Sequence, residues 1–226
     1  NIASPVISRW GNEWHGLEAV ANPFNVEFGL MVTMLAVSLG ALYLINNVDS
    51  DKLAQQLRRS LMVCFGLFLI LFVVVCYHLI TMEGFAVDAS GEVFMQKGKY
   101  FANLVEMPAV LALLLSGAVL LVVGVVVTLL RKDFKRGIWL SGPGTVFAVM
   151  ALFMVVGYNH TAYYPSTADL ASSLTLANSS SSDFTLRTMA VVSLIIPFVV
   201  AYIAYFWRQM DKKSLTTEEL ESGEKY

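Results

Sequence analysis

Apolar and polar positions fall in long blocks along this chain, not in the short periods of a surface helix or strand. Five predominantly apolar blocks span residues 24–45, 61–81, 105–130, 138–158 and 186–207. A hydrocarbon core about 30 Å thick takes about 20 helical residues to cross. A helix meets the demand of lipid because it satisfies its own backbone within one segment. The pattern therefore predicts an all-α fold, a polytopic transmembrane helix bundle of five spans. Residues 1–23 would form an external segment, 159–185 an external serine-rich loop, and 208–226 a cytoplasmic tail. Pro143 and Pro197 lie inside the last two blocks and predict bends there.

Positive residues in the connections give the orientation. Lys52, Arg58 and Arg59 lie between the first two spans, and Arg131, Lys132, Lys135 and Arg136 between the third and fourth. Arg208, Lys212, Lys213 and Lys225 follow the fifth. These three segments share one side, expected to be cytoplasmic, which puts the first residue outside and the C-terminus inside. The serine-rich loop has no Lys or Arg and falls outside. Its end reads as a helix start, with Ser182 or Asp183 available as cap ahead of an apolar run. Trp139 and Trp207 at the inner ends, and Tyr158, Tyr163 and Tyr164 at an outer end, read as interfacial anchors.

Composition agrees with a membrane protein: 57% of residues are apolar, 14% charged, and the mean hydropathy is +0.65. A net charge of −2 and the lack of a basic run speak against a nucleic-acid partner. Cys64 and Cys76 share one apolar block, about 18 Å apart along a helix, so they read as small apolar residues.

Little in the chain carries chemistry. No P-loop, GxSxG, HExxH or GxGxxG occurs, and Gly142 and Gly144 in SGPGTV read as a place of close helix packing or a bend. Two sequons, at Asn159 and Asn178, are short enough to arise by chance. His15, His78 and His160 all fall toward the outer side, and no spacing supports a haem ligand pair. The acidic residues of the spans are the sharper candidates, because a carboxylate in lipid is costly. Glu27 in NPFNVEFGL and Glu106 in NLVEMPAVL each fall in the first turn of a predicted span. A helix N-terminus stabilises such a carboxylate by about 0.3–1 kcal/mol, which accounts for both. Proton handling or contact with a quinone head group is the functional alternative.

The last ninety residues add more. Tyr164-Pro165, Ser173-Leu174-Thr175, Asn178, Ser181-Ser182 and Thr185-Leu186 with Met189 precede a span holding Pro197. Tyr205-Phe206-Trp207 then leads to Thr217-Glu218-Glu219. With the earlier NPFNVEFGLMVTMLAVSLGALYL, these motifs resemble subunit II of cytochrome bd quinol oxidase over nearly the whole chain. The wording GYNHTAYYPST is most like the version of Bacteroidetes-type bacteria. Full-length members have further spans ahead of the equivalent of Asn1, so the sequence is expected to be a C-terminal half.

The resemblance implies a multi-pass subunit of the bacterial inner membrane that binds no haem itself. Its partner would be subunit I, holding haems b and d, in an oxidase that takes electrons from quinol and reduces O2 to water. Protons are released outside and consumed from inside, which builds a gradient. A structural quinone occurs in some members, and a small third subunit is left open. Glu27 and Glu106 are candidates on the residues alone. The alternatives are a piece of a secondary transporter, although no internal repeat is present, or a structural or assembly membrane protein.

Overall fold

A computed structural model describes residues 13–14, 17–88, 90–166 and 169–210. Five helical stretches are long and apolar enough to cross a membrane. α1 (Pro23–Asn47) and α2 (Asp51–Thr81) form one antiparallel pair; α4 (Pro108–Leu130) and α5 (Ile138–Gly157) form a second. The fifth crossing is made by α7 (Asp183–Ser193) and α8 (Ile196–Met210) together. His15 lies outside the described residues.

The first pair meets over Met31, Leu42, Ile45, Leu61, Phe65, Phe68 and Val75, and α4 adds Leu121 and Val125 to the same cluster. Among spans the lipid is as apolar as the side chains, so close packing holds helices together, not expulsion of water. The α4–α5 seam shows this. A Cβ on Gly117 would lie 2.7 Å from Gly144 O, and one on Gly124 would lie 2.7 Å from Gly137 O. The Ser141 hydroxyl donates across the seam to Leu121 O at 2.9 Å. Of the two glycines read as a place of close packing or a bend, Gly144 packs closely, whereas a Cβ on Gly142 meets nothing within 4 Å.

Three boundaries differ from the apolar blocks. α2 begins ten residues earlier than Leu61 and, at 31 residues, runs about 46 Å. Its polar first turns, rich in Gln, Arg and Leu, are good helix formers and project beyond the hydrocarbon. The third block is interrupted at Met107. Pro108 disfavours helical geometry in the residue before it, and Met107 sits at φ −115°, ψ 74°, so a separate α3 (Lys99–Glu106) ends there and α4 starts at Pro108. Glu106 is therefore the last residue of a short helix, not the first turn of a span. The fifth crossing breaks at Leu194–Ile195, just before Pro197, whereas Pro143 sits inside an uninterrupted α5.

The bundle is helical, but its serine-rich end carries two small sheets that block patterning did not reveal. β1 (Glu83–Val87) pairs antiparallel with β2 (Val93–Lys97) around a turn at Gly91, whose φ of +84° suits glycine. β3 (Ala162–Tyr164) pairs antiparallel with β4 (Leu174–Thr175). Asn103 ties this cap to the bundle. It is fully buried, and its amide donates to Val155 O at 3.0 Å, Tyr158 O at 3.2 Å and Thr161 Oγ1 at 2.9 Å.

The serine-rich segment satisfies its own backbone. Ser173 Oγ accepts from Ser166 N at 2.9 Å, and Thr175 and Asn178 form a capping box over α6 (Leu176–Ser179). Ser179 and Ser180 donate back to Thr175 O and Leu176 O. Ser182 is the N-cap of α7, as the sequence allows. The Asn178 side chain also donates to Ser173 O at 2.8 Å, through the nitrogen that a glycan would occupy.

Candidate functional site

α1 starts where its sequence dictates. Asn22 caps it, its side chain accepting from Phe24 N at 3.0 Å, and Pro23 takes the first helical position, where a missing N–H costs nothing. Glu27 follows in the second turn. α2, running the opposite way, brings its last turn alongside, with His78 at its face and Met82 N closing on His78 O at 2.7 Å.

Glu27 Oε2 and His78 Nδ1 meet at 2.9 Å, with side chains 30% and 39% exposed respectively. Both of these atoms are buried, and neither has a hydrogen-bond partner among the described residues. The distance is that of an ion pair, although the N–H direction does not give a linear hydrogen bond. The exposure therefore belongs to the other atoms of each side chain. The helix dipoles favour this arrangement, with the carboxylate near the N-terminal end of α1 and the imidazole in the last turn of α2. Phe24 packs edge-on to His78, with centroids 6.1 Å apart and planes at 73°. Asn22, Pro23, Phe24, His78 and Met82 line an open recess of about 260 Å³ beside the pair.

Glu106 does not join this site. It is exposed at the C-terminal end of α3, and its side chain has no hydrogen bond or ion pair among the described residues. The helix-start account that covers Glu27 fails for it, because a carboxylate at a helix C-terminus is opposed by the dipole. His160 is exposed in a turn, with φ of 57°. Cys64 and Cys76 are free and lie on α2. The pairing of Glu27 with His78 was missed because sequence pattern gives a helix's face but not its rotation against a neighbour.

The family model for cytochrome bd terminal oxidase subunit II matches residues 2–210. The chain belongs to that family. As a cytochrome bd subunit II chain it is a membrane protein, a component of an oxidoreductase complex with a subunit I. The match decides against a secondary transporter. A search of curated proteins finds no match to it.

Haem, the family's cofactor, does not fit the donor groups described in this subunit II. His78 Nδ1 faces Glu27, and the recess at its side is too small and open to enclose a porphyrin.

Proposed function

We propose that this chain is the haem-free subunit of an oxidase that takes electrons from quinol and reduces O2 to water, building a proton gradient across a bacterial inner membrane. Haems b and d would sit on subunit I. The match to subunit II across residues 2–210 carries this reading. The basic end of the bundle would face the cytoplasm and the serine-rich end the outside, supported by Lys52, Arg58, Arg59, Arg131, Lys132, Lys135 and Arg136 all falling at one end.

Within that function, Glu27 with His78 is the proton-handling or quinone-contacting group, and Glu106 a lesser candidate. The contact of Glu27 with His78, which lines the recess, supports the assignment, since a carboxylate–imidazole pair can accept a proton on one member and pass it to the other.

The test is capture of the native complex through a tag on the C-terminal tail, followed by a dithionite-reduced minus oxidised spectrum. Haem b bands with a far-red haem d band are expected. Bands of haem b alone would restrict the assignment to an oxidase of b haems. An intact chain captured with no haem would overturn the reading.

A further inference from the structure

The strongest unassigned feature is at the basic end. Arg58 reaches from α2 to the loop after α4 and donates to Lys132 O at 2.7 Å, Arg131 O at 3.3 Å and Phe134 O at 3.4 Å. These carbonyls end α4 or follow it, and a guanidinium fork suits several of them at once. Lys135 closes the other side, 3.1 Å from Asp49 in the loop after α1. The two connections are thereby locked into one surface.

That locking spends two cations and leaves others free. The side chains of Arg59, Arg131, Lys132 and Arg136 are exposed and have no hydrogen bond or ion pair among the described residues, and that of Lys52 is likewise free there, two turns further out on α2. Among the described residues the nearby carboxylates are Asp49, already paired, with exposed Asp133 in the same loop as Lys135 and Asp51 at the start of α2. Positive charge therefore dominates.

The height of this surface is fixed by the spans. α4 ends at Leu130 and α5 starts at Ile138, while the apolar part of α2 begins at Leu61. Arg59, Arg131, Lys132 and Arg136 thus stand within a turn or so of the hydrocarbon boundary, at the level of phosphate groups. Trp139, 65% exposed in the first turn of α5, fits the same interface.

We propose that this surface binds the phosphate-bearing headgroups of anionic phospholipids, Arg59, Arg131, Lys132 and Arg136 supplying the charge and Arg58 holding the two loops in register. Clustered cations at the ends of spans are matched by anionic headgroups, and the apolar flanks of α2 and α4 accept the acyl chains. The inference needs only that this end lie at a bilayer surface, so it stands apart from the proton-handling assignment.

The test uses the complete oxidase complex, reconstituted in vesicles of phosphatidylcholine with a minority of phosphatidylglycerol and then extracted in neutral detergent. Lipid retained by the complex is read by mass spectrometry. Arg59→Gln, Arg131→Gln and Lys132→Gln are each expected to lower retained phosphatidylglycerol about fivefold, with phosphatidylcholine unchanged. Lys97→Gln, an exposed cation at the opposite end, is expected to change nothing. Unchanged phosphatidylglycerol in all three variants would overturn the proposal, as would an equal loss in Lys97→Gln. Loss of subunit I with lipid retention intact would overturn it in favour of a protein partner at this surface.

Discussion

Glu27 Oε2 lies 2.9 Å from His78 Nδ1, joining the second turn of α1 to the last turn of α2 across 51 residues of sequence. Each of the two atoms is buried, in contact with the other and with no hydrogen-bond partner among the described residues. Removing one partner without removing the other leaves an unpaired polar atom, which costs about 1–3 kcal/mol when fully buried. Both side chains are partly exposed, so about 1 kcal/mol is expected here.

Two substitutions separate a structural role from a proton-handling one. Glu27→Leu is expected to lower the yield and thermal stability of the complex. Glu27→Gln keeps the shape and a hydrogen-bonding oxygen but cannot carry the proton. It is expected to leave haem content normal while slowing quinol-driven oxygen uptake severalfold. Normal turnover per haem in Glu27→Gln would remove the pair from proton handling and leave it as a helix contact.

Asn103 is the fastening of the cap. Asn103→Leu keeps the volume but strands Val155 O and Thr161 Oγ1 in a buried place, while Tyr158 O keeps the Thr161 N–H. A loss of about 3 kcal/mol is expected, the upper part of the range for unsatisfied buried groups. Because α3, α5 and the loop after it are held together there, limited proteolysis should cut first between residues 159 and 182. Cutting at the α4–α5 connection instead would show that the cap does not depend on this amide.

Burial pushes the Tyr100 phenol above its ordinary value of 10.0. The fold therefore favours the neutral phenol. Below about pH 10 the phenol is protonated folded or unfolded, and its contribution to stability is complete. As pH rises the unfolded chain ionises first and stability falls until the folded phenol also titrates. Tyr100→Phe should flatten the part of the alkaline loss that belongs to this group. Melting curves of both proteins from pH 9 to 11 give the comparison, and parallel curves would contradict it.

Deleting Ser179–Ser182 should reduce the amount of assembled oxidase while leaving turnover per haem unchanged. The deletion removes the hydroxyls that turn back onto Thr175 O and Leu176 O, together with the Ser182 cap of α7, itself worth about 1 kcal/mol. The segment's hydrogen bonds are nearly all internal, which is why an effect on assembly is expected and one on chemistry is not. A normal amount of complex with lost turnover would reverse that assignment.

The five crossings were legible because length and hydropathy are enough to mark them, and the Ser182 cap because its signature is local. Other features left local signals that block patterning passes over. Met107-Pro108 marks a helix end by itself, and the alternation through Phe85 and Val87, then Val93 and Met95, flanks a Gly91 turn. The polar start of α2 is hidden from any search for apolar residues. Glu27 with His78, Arg58 on the Arg131–Phe134 carbonyls, and Asn103 on the end of α5 belong to another class. Each joins elements whose relative rotation is set by packing, and no spacing along the chain encodes it.

Gly142 and Gly144 show how finely that packing decides. They are two residues apart in SGPGTV, and composition cannot tell them apart. A Cβ on Gly144 would stand 2.7 Å from Gly117 O and 2.7 Å from Leu121 N, both backbone atoms that cannot rotate away, whereas one on Gly142 meets open space. Gly144→Leu must therefore part α4 from α5, and with them the Ser141 hydrogen bond to Leu121 O. Since association in lipid depends on such close approach, the amount of assembled complex is expected to fall severalfold. Gly142→Leu on the same helix should assemble normally. Size-exclusion profiles and haem content of the two variants, side by side, make the comparison. Equal assembly would mean that the seam has slack that its geometry does not show, and equal loss would mean that the Gly142 face is covered by another chain in the complex.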